Sequence, residues 1–502
     1  MGVVIIATGI NKFLQFQEPK NLTDYIKSFI SDFEGSRKRK EMKQAKAYYR
    51  SKNSEIMNRT FYVYAEDEQG NPRRIKDPYK ANNKLPSGFF KILVDQKINY
   101  LLGNDMAIET DDKDELQEII DPENLQHKLR KTAKDASKKS VGWLQLYVDN
   151  EGNFGYKKID SEQVIPVYKP NNKDELEFVI RYYKVRVLND KNEMASVNRV
   201  EVWDEEEVAF FQENFADNLY YILEPEYMAE DSAFTRPYEN PRYHFQRELV
   251  INQTTHERED LAWGRVPFVP LYNNDEEDTD LNPIKAFIDA YDLINSDFVN
   301  NLEDHVDVHW VLKGYQGENL TDFLDMVKKY HAIKVAHDGE VRQETTDIPT
   351  EARKTDIKQL ERDIFKFGQG VNPLEFDSGN VTNVMIKARF ALLDLKCDQF
   401  EDKVQETLRR FFEFVNRYRE IEGQEPIEIK SINFDRSMIM NKKEMLDANK
   451  DQHGHISEDT RLKNHPWVAD VEEEKDRMEE EVMDRINLDE IEMPEEDEEG
   501  EE

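Results

Sequence analysis

The chain has 502 residues, which is enough for two to four structural units at the usual ~100–200 residues per domain. Charged residues make up 35% and hydrophobic residues 38% of the chain, and the net charge is −36, so the sequence lacks the basic surface with which most DNA-binding proteins grip DNA. The only cysteine, Cys397, excludes internal disulfides and thiolate zinc clusters, and no apolar run reaches the ~18 residues of a membrane-spanning helix.

Three parts of the first 140 residues are predicted to be helical. Residues 1–60 are charged and helical, with four consecutive basic residues at 37–40. We interpret this basic group as a solvated helix end, with contact to phosphate or to a partner as the alternative. Residues 89–103 form an amphipathic helix that stops at Gly103, and residues 123–140 form another helix.

From about residue 142 the apolar residues alternate along the chain instead of following the helical period. The segments concerned are rich in aromatic and β-branched side chains, as strands are, and turn-forming residues separate them at 149–153 and 169–172. Because the strands follow one another without intervening helices, residues 142–272 are predicted to form an antiparallel α+β region. The predicted strands lie at 143–148, 178–185, 199–211 and 219–223.

A helix, an inserted segment and a second helix are predicted next. The first helix starts at Asn282 and Pro283, because Asn is a good N-cap and Pro is favoured at the first helical position. A small, strand-rich segment covers residues 308–348, and the second helix covers 350–367. A loop follows at 368–383. The predicted buried face of the second helix carries Ile357, Leu360, Ile364 and Phe367.

The longest periodic segment of the chain follows this loop. Its apolar residues step by three and four from Ile386 to Tyr418, with neither Pro nor Gly between them, which predicts one helix over 383–420 about 55 Å long. Few compact enzymes need so long a helix, although a core helix of a large domain is the alternative. The intervening apolar residues are Phe390, Leu393, Cys397, Phe400, Val404, Leu408, Phe411 and Val415.

The C-terminal part is predicted to contain a strand near 427–434 and helices near 441–450 and 456–486. Residues 471–502 hold 18 Asp and Glu against 3 Lys and Arg. The last nine residues are almost all acidic, so they are predicted to be disordered.

Motifs that carry catalytic chemistry are absent from the sequence. It contains neither the Gly-x-x-x-x-Gly-Lys-Ser/Thr loop of nucleotide-binding ATPases, nor a Gly-x-Ser-x-Gly elbow, nor a His-Glu-x-x-His zinc site. His305 and His309 are four residues apart, but a solvated helix end explains such a pair better than a metal does. Asp297, Glu303 and Asp304 are expected by chance in a chain with 105 acidic residues. We therefore expect no catalytic site, no metal and no cofactor.

Five stretches together resemble the portal proteins of tailed phages that infect Gram-positive bacteria, of the long-tailed siphophage type. Their order and spacing match over nearly the whole chain, and the succession of helix, small domain, helix, loop and long helix is more specific than any one of them. The stretches are FKILVDQKINYLLG at 90–103, WGRVPFVP at 263–270 with NNDE at 273–276, YDLINS at 291–296 leading to VLKGYQGEN at 311–319, ALLDLK at 391–396, and NHPWV at 464–468.

The resemblance implies an α+β, mainly helical portal fold with a wing, stem, clip and crown, assembled as a ring around a central channel. It also implies the boundaries of these parts. They are the wing at 1–282, a stem helix at 283–307, the clip at 308–348, a stem helix at 349–367, the tunnel loop at 368–383, the long helix and wing return at 384–434, the crown at 435–486 and a disordered acidic tail at 487–502.

The resemblance further assigns residues to the channel and to the clip. The DNA-facing channel and tunnel-loop residues would be Lys366, Gln369, Val371, Asn372 and Leu374. The clip interface would comprise Lys313, Tyr315, Gln316 and Glu318. Bulky Leu374 and Phe376 stand where the family's tunnel loop is typically rich in glycine.

A portal of this family implies several partners and a place in the virion. The partners are further copies of the chain, expected as a dodecamer, double-stranded DNA in the channel, the large subunit of terminase, a head-completion adaptor, and scaffolding and major capsid proteins. The location is the portal vertex of the capsid, after assembly in the host cytoplasm. Two other classes stay open at this stage, an acidic intracellular scaffolding or adaptor protein and a metal-dependent nuclease.

Overall fold

The computed structural model describes residues 9–66, 72–77, 80–149, 151–188, 194–223, 239–252, 255–304, 308–313, 340–345, 350–373 and 382–436, with short stretches between 446 and 479. The chain divides into two compact units. The larger unit comprises residues 1–372 and 392–437, and the smaller unit comprises residues 373–391 and 438–502.

The helices confirm most of the predicted ones to within a few residues. In the larger unit they include α1 (Ile10–Leu14), α2 (Pro19–Gly35), α3 (Arg37–Tyr49), α4 (Ser54–Asn58), α5 (Phe89–Leu102), α6 (Lys113–Ile119), α7 (Pro122–Lys139), α8 (Lys285–Asp304) and α9 (Thr350–Phe367). Helix α10 (Asn383–Ile421) begins in the smaller unit and continues in the larger one, and α11 (Glu458–Lys463) belongs to the smaller unit.

All strand pairs of the described residues are antiparallel, as predicted for the central region. The strands are β1 (Tyr62–Glu66), β2 (Pro72–Lys76), β3 (Met106–Glu109), β4 (Val141–Val148), β5 (Phe154–Ile159), β6 (Val164–Lys169), β7 (Asn172–Leu188), β8 (Met194–Trp203), β9 (Glu207–Glu213), β10 (Tyr220–Ile222), β11 (Arg242–Tyr243), β12 (Phe245–Asn252), β13 (Thr255–Leu261), β14 (Phe268–Tyr272), β15 (Val308–Lys313), β16 (Glu340–Thr345) and β17 (Ser431–Phe434).

A six-stranded sheet in the order β10-β9-β8-β7-β6, with β11 beside β9, is covered on both faces. Successive side chains of a strand point to opposite faces. Phe178 and Phe211 therefore pack in one cluster with α1 and α2, while Val179 and Phe210 pack in another with Trp143 of β4. Burial on both faces explains the continuous apolar run at 208–211, which an exposed antiparallel strand would not need.

The predicted helix, insert and helix are present, with two corrections. Helix α8 begins at Lys285 and not at Asn282. Leu281 to Ile284 form a preceding turn in which the Leu281 carbonyl accepts from the N–H groups of both Ile284 and Lys285. On α9 the buried aromatic residue is Phe365, whereas Phe367 is 46% exposed. The insert begins and ends with β15 and β16, which pair from Val308 with Thr345 to Lys313 with Glu340.

Helix α10 confirms the prediction of one long helix. It runs for 39 residues, or about 58 Å at ~1.5 Å per residue. Nine of the ten predicted stripe residues are buried, including Leu393, Cys397, Val404 and Phe411 at 2% exposure or less. The helix therefore supplies an apolar face along its whole length.

The interpretation of the basic group at 37–40 as a solvated helix end agrees with the exposure of Arg37, Lys38 and Lys40, and it is wrong for Arg39. Arg39 is buried and pairs with Glu34 and Glu162, at 3.2 and 2.5 Å. Lys38 pairs with Glu277. Arg39 and Lys38 therefore tie the helical N-terminus to the rest of the larger unit, whereas Arg37 pairs with Glu41 of its own helix.

Candidate channel segment and its anchoring network

The residues predicted to face DNA lie at the end of α9 and in the segment 368–372 that follows it. Helices α8 and α9 pack side by side, and the rings of Phe287 and Phe367 stack with centroids 5.0 Å apart. Phe89 of α5 lies against both helices, with its ring 4.8 Å from Tyr291 and 5.9 Å from Phe365. These aromatic contacts fix the end of α9 against α5 and α8.

The segment 368–372 is pressed against α5 at two glycines. A Cβ atom at Gly370 would lie 2.1 Å from a methyl carbon of Leu93, and one at Gly368 would lie 2.6 Å from Leu93. A side chain at either position would force Leu93 to move, and at Gly368 it would also lie 2.7 Å from the Ile364 carbonyl oxygen, so the close approach favours glycine. Between them Gln369 has a left-handed backbone, with φ of 54°.

Gln96 of α5 holds the next residue of the segment by both of its amide atoms. Its Nε2 donates to the Val371 carbonyl over 2.7 Å, and its Oε1 accepts from the Val371 N–H over 3.1 Å. The side chain of Val371 is buried at 7% exposure, and Asn372 donates to Glu361 of α9 over 3.1 Å. The segment is therefore anchored at both ends, by the buried Gly368 and by Val371 and Asn372, while Gln369 between them is half-buried.

A buried charge cluster lies behind this segment and joins α5, α7 and α10 to the turn that precedes α8. Asp280 accepts from Lys97 of α5 over 3.1 Å, from Asn273 over 3.2 Å and from Ser137 of α7. Lys396 of α10 lies 3.3 Å from the same carboxylate and donates to the Gly368 carbonyl over 3.0 Å. One carboxylate is thus connected through Lys396 to the backbone of the candidate segment.

The electrostatics of this cluster keep Asp280 ionised. Burial alone would raise the pKa of Asp280, but the nearby cations Lys396 and Lys97 outweigh it and lower the pKa well below its ordinary value. Lys97 is 2% exposed, and its ammonium also lies 4.0 Å from the centre of the Phe400 ring. Burial lowers the pKa of Lys97, and the carboxylate of Asp280 acts in the opposite direction.

A second buried polar row lies along α8 and fixes the extended segment that leads into α5. Asp292, Ser296 and Asn300 are four residues apart and 2% exposed or less. Each accepts one backbone N–H, and the donors are Ser87 over 2.8 Å, Leu85 over 3.1 Å and Asn83 over 2.6 Å respectively.

The spacing of this row follows from geometry. Four residues of a helix rise about 6 Å and two residues of an extended chain span about 6.6 Å, so every second N–H meets a helical acceptor. Pro86, which has no N–H, stands between two of the donors, where no hydrogen bond is needed. Burial raises the pKa of Asp292 despite the hydrogen bonds it accepts from Asn53 and Ser87.

The structure places the sequence-predicted residues in different surroundings. Lys366 is exposed and Gln369 is half-buried, whereas Val371 and Asn372 are buried and hold the segment in place. Val371 and Asn372 are buried within this chain, and their place on the channel surface stays a prediction. Lys313 lies at the end of β15. The remaining predicted residues, Leu374, Tyr315, Gln316 and Glu318, lie outside the described residues.

Sequence reasoning missed Lys97 and Asp280 as the centre of a charge cluster. The sequence did indicate that Lys97 is buried, because it lies on the apolar stripe of α5, three residues after Val94 and four residues from Leu93 and Leu101. A lysine on a buried stripe needs a carboxylate partner. Nothing in the sequence identified Asp280 as that partner among so many acidic residues.

Two of the acidic residues considered for metal binding, Asp297 and Glu303, have other partners. Asp297 pairs with Arg59 over 2.7 Å, and Glu303 accepts from Asn83 over 2.5 Å. His309 lies on β15 and not on a helix, and His305 lies outside the described residues. Within the described ranges, no three His, Cys, Asp or Glu side chains form a group that could hold a metal ion. None of the helices that the structure describes is long and apolar enough to cross a membrane.

Known proteins resemble this chain over most of its length. The family model described as phage portal protein, SPP1 Gp6-like, matches residues 32–487. The portal protein of Bacillus phage SPP1 is 30% identical over 445 residues, covering 87% of this chain and 82% of the relative. The portal protein of Clostridium phage phiCD119 is 28% identical over 454 residues, covering 87% of this chain and 91% of the relative.

Proposed function

This chain belongs to the SPP1 Gp6-like family of phage portal proteins, and we propose that its copies close into a ring whose channel passes double-stranded DNA into and out of the capsid. Membership of this family confirms the prediction of a structural virion protein and not an enzyme. It also leaves the scaffolding protein and the metal-dependent nuclease without support. The family match over residues 32–487 is the single observation that carries the proposal.

The described elements support an assignment of the portal parts. Residues 1–282 form the wing, and residues 384–434 form the long helix and the wing return. Residues 283–307 with α8 and 349–367 with α9 form the stem, and residues 308–348 with β15 and β16 form the clip. Residues 368–383 form the tunnel loop, 435–486 the crown and 487–502 an acidic tail. A ring of this kind needs one head-to-tail interface repeated around an axis, and we expect twelve copies.

We assign DNA contact to the exposed part of the candidate segment. Lys366 is a surface cation in the last turn of α9, and Gln369 follows it two residues after the helix ends. The buried charge cluster and Gln96 hold the backbone behind them, so these side chains are presented by a fixed frame. Leu374 would extend the same loop toward the duplex.

The acidic character of the chain supports a channel that does not hold DNA tightly. A net charge of −36 per copy repels phosphates, and a few basic side chains at one level would steer the duplex without binding it strongly. A strongly basic lining would instead bind DNA with an affinity that opposes sliding.

The clip would carry the contacts to the packaging and head-completion proteins. Lys313, Tyr315, Gln316 and Glu318 are the residues proposed to meet the terminase large subunit and later the adaptor. The wing would meet scaffolding and major capsid proteins. These assignments place the protein at the portal vertex of the virion, after assembly in the host cytoplasm.

The role of Lys366 is tested by replacing it with Ala in the phage that carries this portal. We expect normal rings but reduced DNA packaging or retention, measured as the fraction of full heads. Lys20→Ala, which removes an exposed lysine from α2, is the matched control. Packaging and retention unchanged in Lys366→Ala would remove this residue from the proposed mechanism.

A further inference from the structure

A basic pocket of about 530 Å³ lies between α3, α5, α7 and β5, away from the candidate channel segment. It is exceptional in a chain with so negative a charge, because six cations line it against two carboxylates, Asp135 and Asp160. Tyr49 and Ser51 complete the lining. The cations are Lys46, Arg50, Lys91, Lys138, Lys139 and Lys158.

Part of this positive charge is balanced within the pocket wall. Asp135 pairs with Lys158 and with Lys138 at 3.1 Å, and Asp160 pairs with Lys139 at 2.5 Å. Glu162, behind the wall, pairs with Lys46 at 2.5 Å. The four lysines therefore share three carboxylates.

Two cations of the pocket are not balanced at all. Arg50 and Lys91 are exposed, and neither has a carboxylate partner among the residues that the structure describes. The six cations exceed the three carboxylates by three charges. Helices α3 and α7 end beside the pocket, and each C-terminal end contributes about half a negative charge, so a net positive charge of about two remains. Burial is the main cause that lowers the pKa of Lys138, and Lys139 and Lys158 add to it. For Lys139, burial is outweighed by the carboxylates Asp135, Asp160 and Glu162, which raise the pKa.

We propose that this pocket binds phosphate groups, with Arg50 and Lys91 as its principal ligands. A guanidinium provides a planar fork of donors that matches two phosphate oxygens, and an ammonium adds a point charge. Lys138, whose ammonium lies over the Tyr49 ring at 4.6 Å, is held at the pocket wall as a third donor. The volume admits more than one phosphate, so the ligand is either a nucleic-acid backbone or a free polyphosphate.

Two binding measurements distinguish these sources. Inorganic tripolyphosphate is titrated into the full chain by calorimetry, and a fluorescently labelled 12-base-pair duplex is titrated by anisotropy, both at low salt. The double variant Arg50→Glu with Lys91→Glu is compared with the wild type. The control Lys20→Glu with Lys131→Glu makes the same charge change at exposed positions of α2 and α7 outside the pocket.

We expect the pocket variant to lose at least tenfold in affinity for one of the two probes, while the control stays within about threefold of the wild type. Loss for the duplex identifies a nucleic-acid backbone, and loss for tripolyphosphate alone identifies a free polyphosphate. Equal loss in the pocket variant and the control, or binding of neither probe by the wild type, overturns the proposal. Light scattering checks that both variants still form rings. A loss of phosphate binding is then distinguished from a failure of the assembly on which the proposed channel depends.

Discussion

The buried carboxylate of Asp280 offers a sharp test of how the candidate segment is held. Asp280→Asn keeps the size of the side chain but removes the charge that balances Lys97 and Lys396, and it replaces one acceptor oxygen by an NH2 donor. Lys97 is 2% exposed and cannot reach water without rearrangement. Removing one partner of a buried ion pair typically costs about 3–5 kcal/mol, because the remaining charge stays buried without compensation.

The measurement is the free energy of unfolding in urea at neutral pH, from the midpoint and slope of the transition. Asp275→Asn is the matched control, because Asp275 is 83% exposed and pairs with Lys403 at 2.6 Å, and such a surface pair contributes only about 0–1 kcal/mol. An equal effect of the two substitutions would refute the cluster's role. Adding Lys97→Met to Asp280→Asn should restore part of the loss, since it removes the uncompensated charge.

The pH dependence of this effect follows from the lowered pKa of Asp280. A carboxylate whose folded-state pKa lies below its unfolded value of ~3.9 contributes its full stability above that value and loses it as the pH falls further. The difference in stability between the wild type and Asp280→Asn should therefore stay constant from neutral pH down to about pH 5 and narrow only below about pH 4. A difference that disappears near pH 6 would contradict the assignment.

Three further substitutions probe the surrounding structure. Ser296→Ala should cost about 1–3 kcal/mol in unfolding free energy, because it leaves a buried backbone N–H without an acceptor, and a cost near zero would contradict the polar row on α8. Gly370→Ala should speed hydrogen exchange at Val371, since a Cβ there would lie 2.1 Å from Leu93, whereas Gly35→Ala, with open space around its Cβ, should leave that exchange unchanged. Burial lowers the pKa of His244 to about 3, so the wild type should lose stability between pH 6.5 and pH 3 as the unfolded chain alone takes up the proton, and His244→Gln should lose less over that range.

The sequence predicted the elements whose signal is local. Helix α9 matches its predicted bounds. The apolar stripe on α10 was predicted correctly because ten apolar residues follow one another at steps of three and four, with neither Pro nor Gly in the segment. The strands between 142 and 272 were predicted by alternation and aromatic content. Their arrangement in a sheet buried on both faces was not, since pairing depends on distant residues.

The anchoring of the candidate segment could not be predicted, because it depends on contacts between residues far apart in the chain. Gln96 binds the backbone of Val371, and Lys396 joins Asp280 to Gly368. In the sequence, the polar residues Gln96, Lys396 and Asp280 look like ordinary surface residues. Only folding brings α5, α10 and the end of α9 together.

The basic group at 37–40 also shows that the sequence alone does not predict which charged residues are buried. A run of four cations suggests a solvated surface, yet Arg39 is buried between Glu34 and Glu162. The basic pocket proposed to bind phosphate arises instead from cations scattered from Lys46 to Lys158. Charge runs in the sequence and charge clusters in the fold are therefore different sets of residues.

The central claim is that this portal protein closes into a ring with a channel wide enough for duplex DNA. Electron microscopy of the purified full chain tests it most directly. The account predicts rings with a central opening wider than the ~20 Å of a DNA duplex and one subunit repeated around the axis, as a closed head-to-tail interface requires. Particles that remain monomers or compact dimers at every concentration, or rings without an opening, would contradict it.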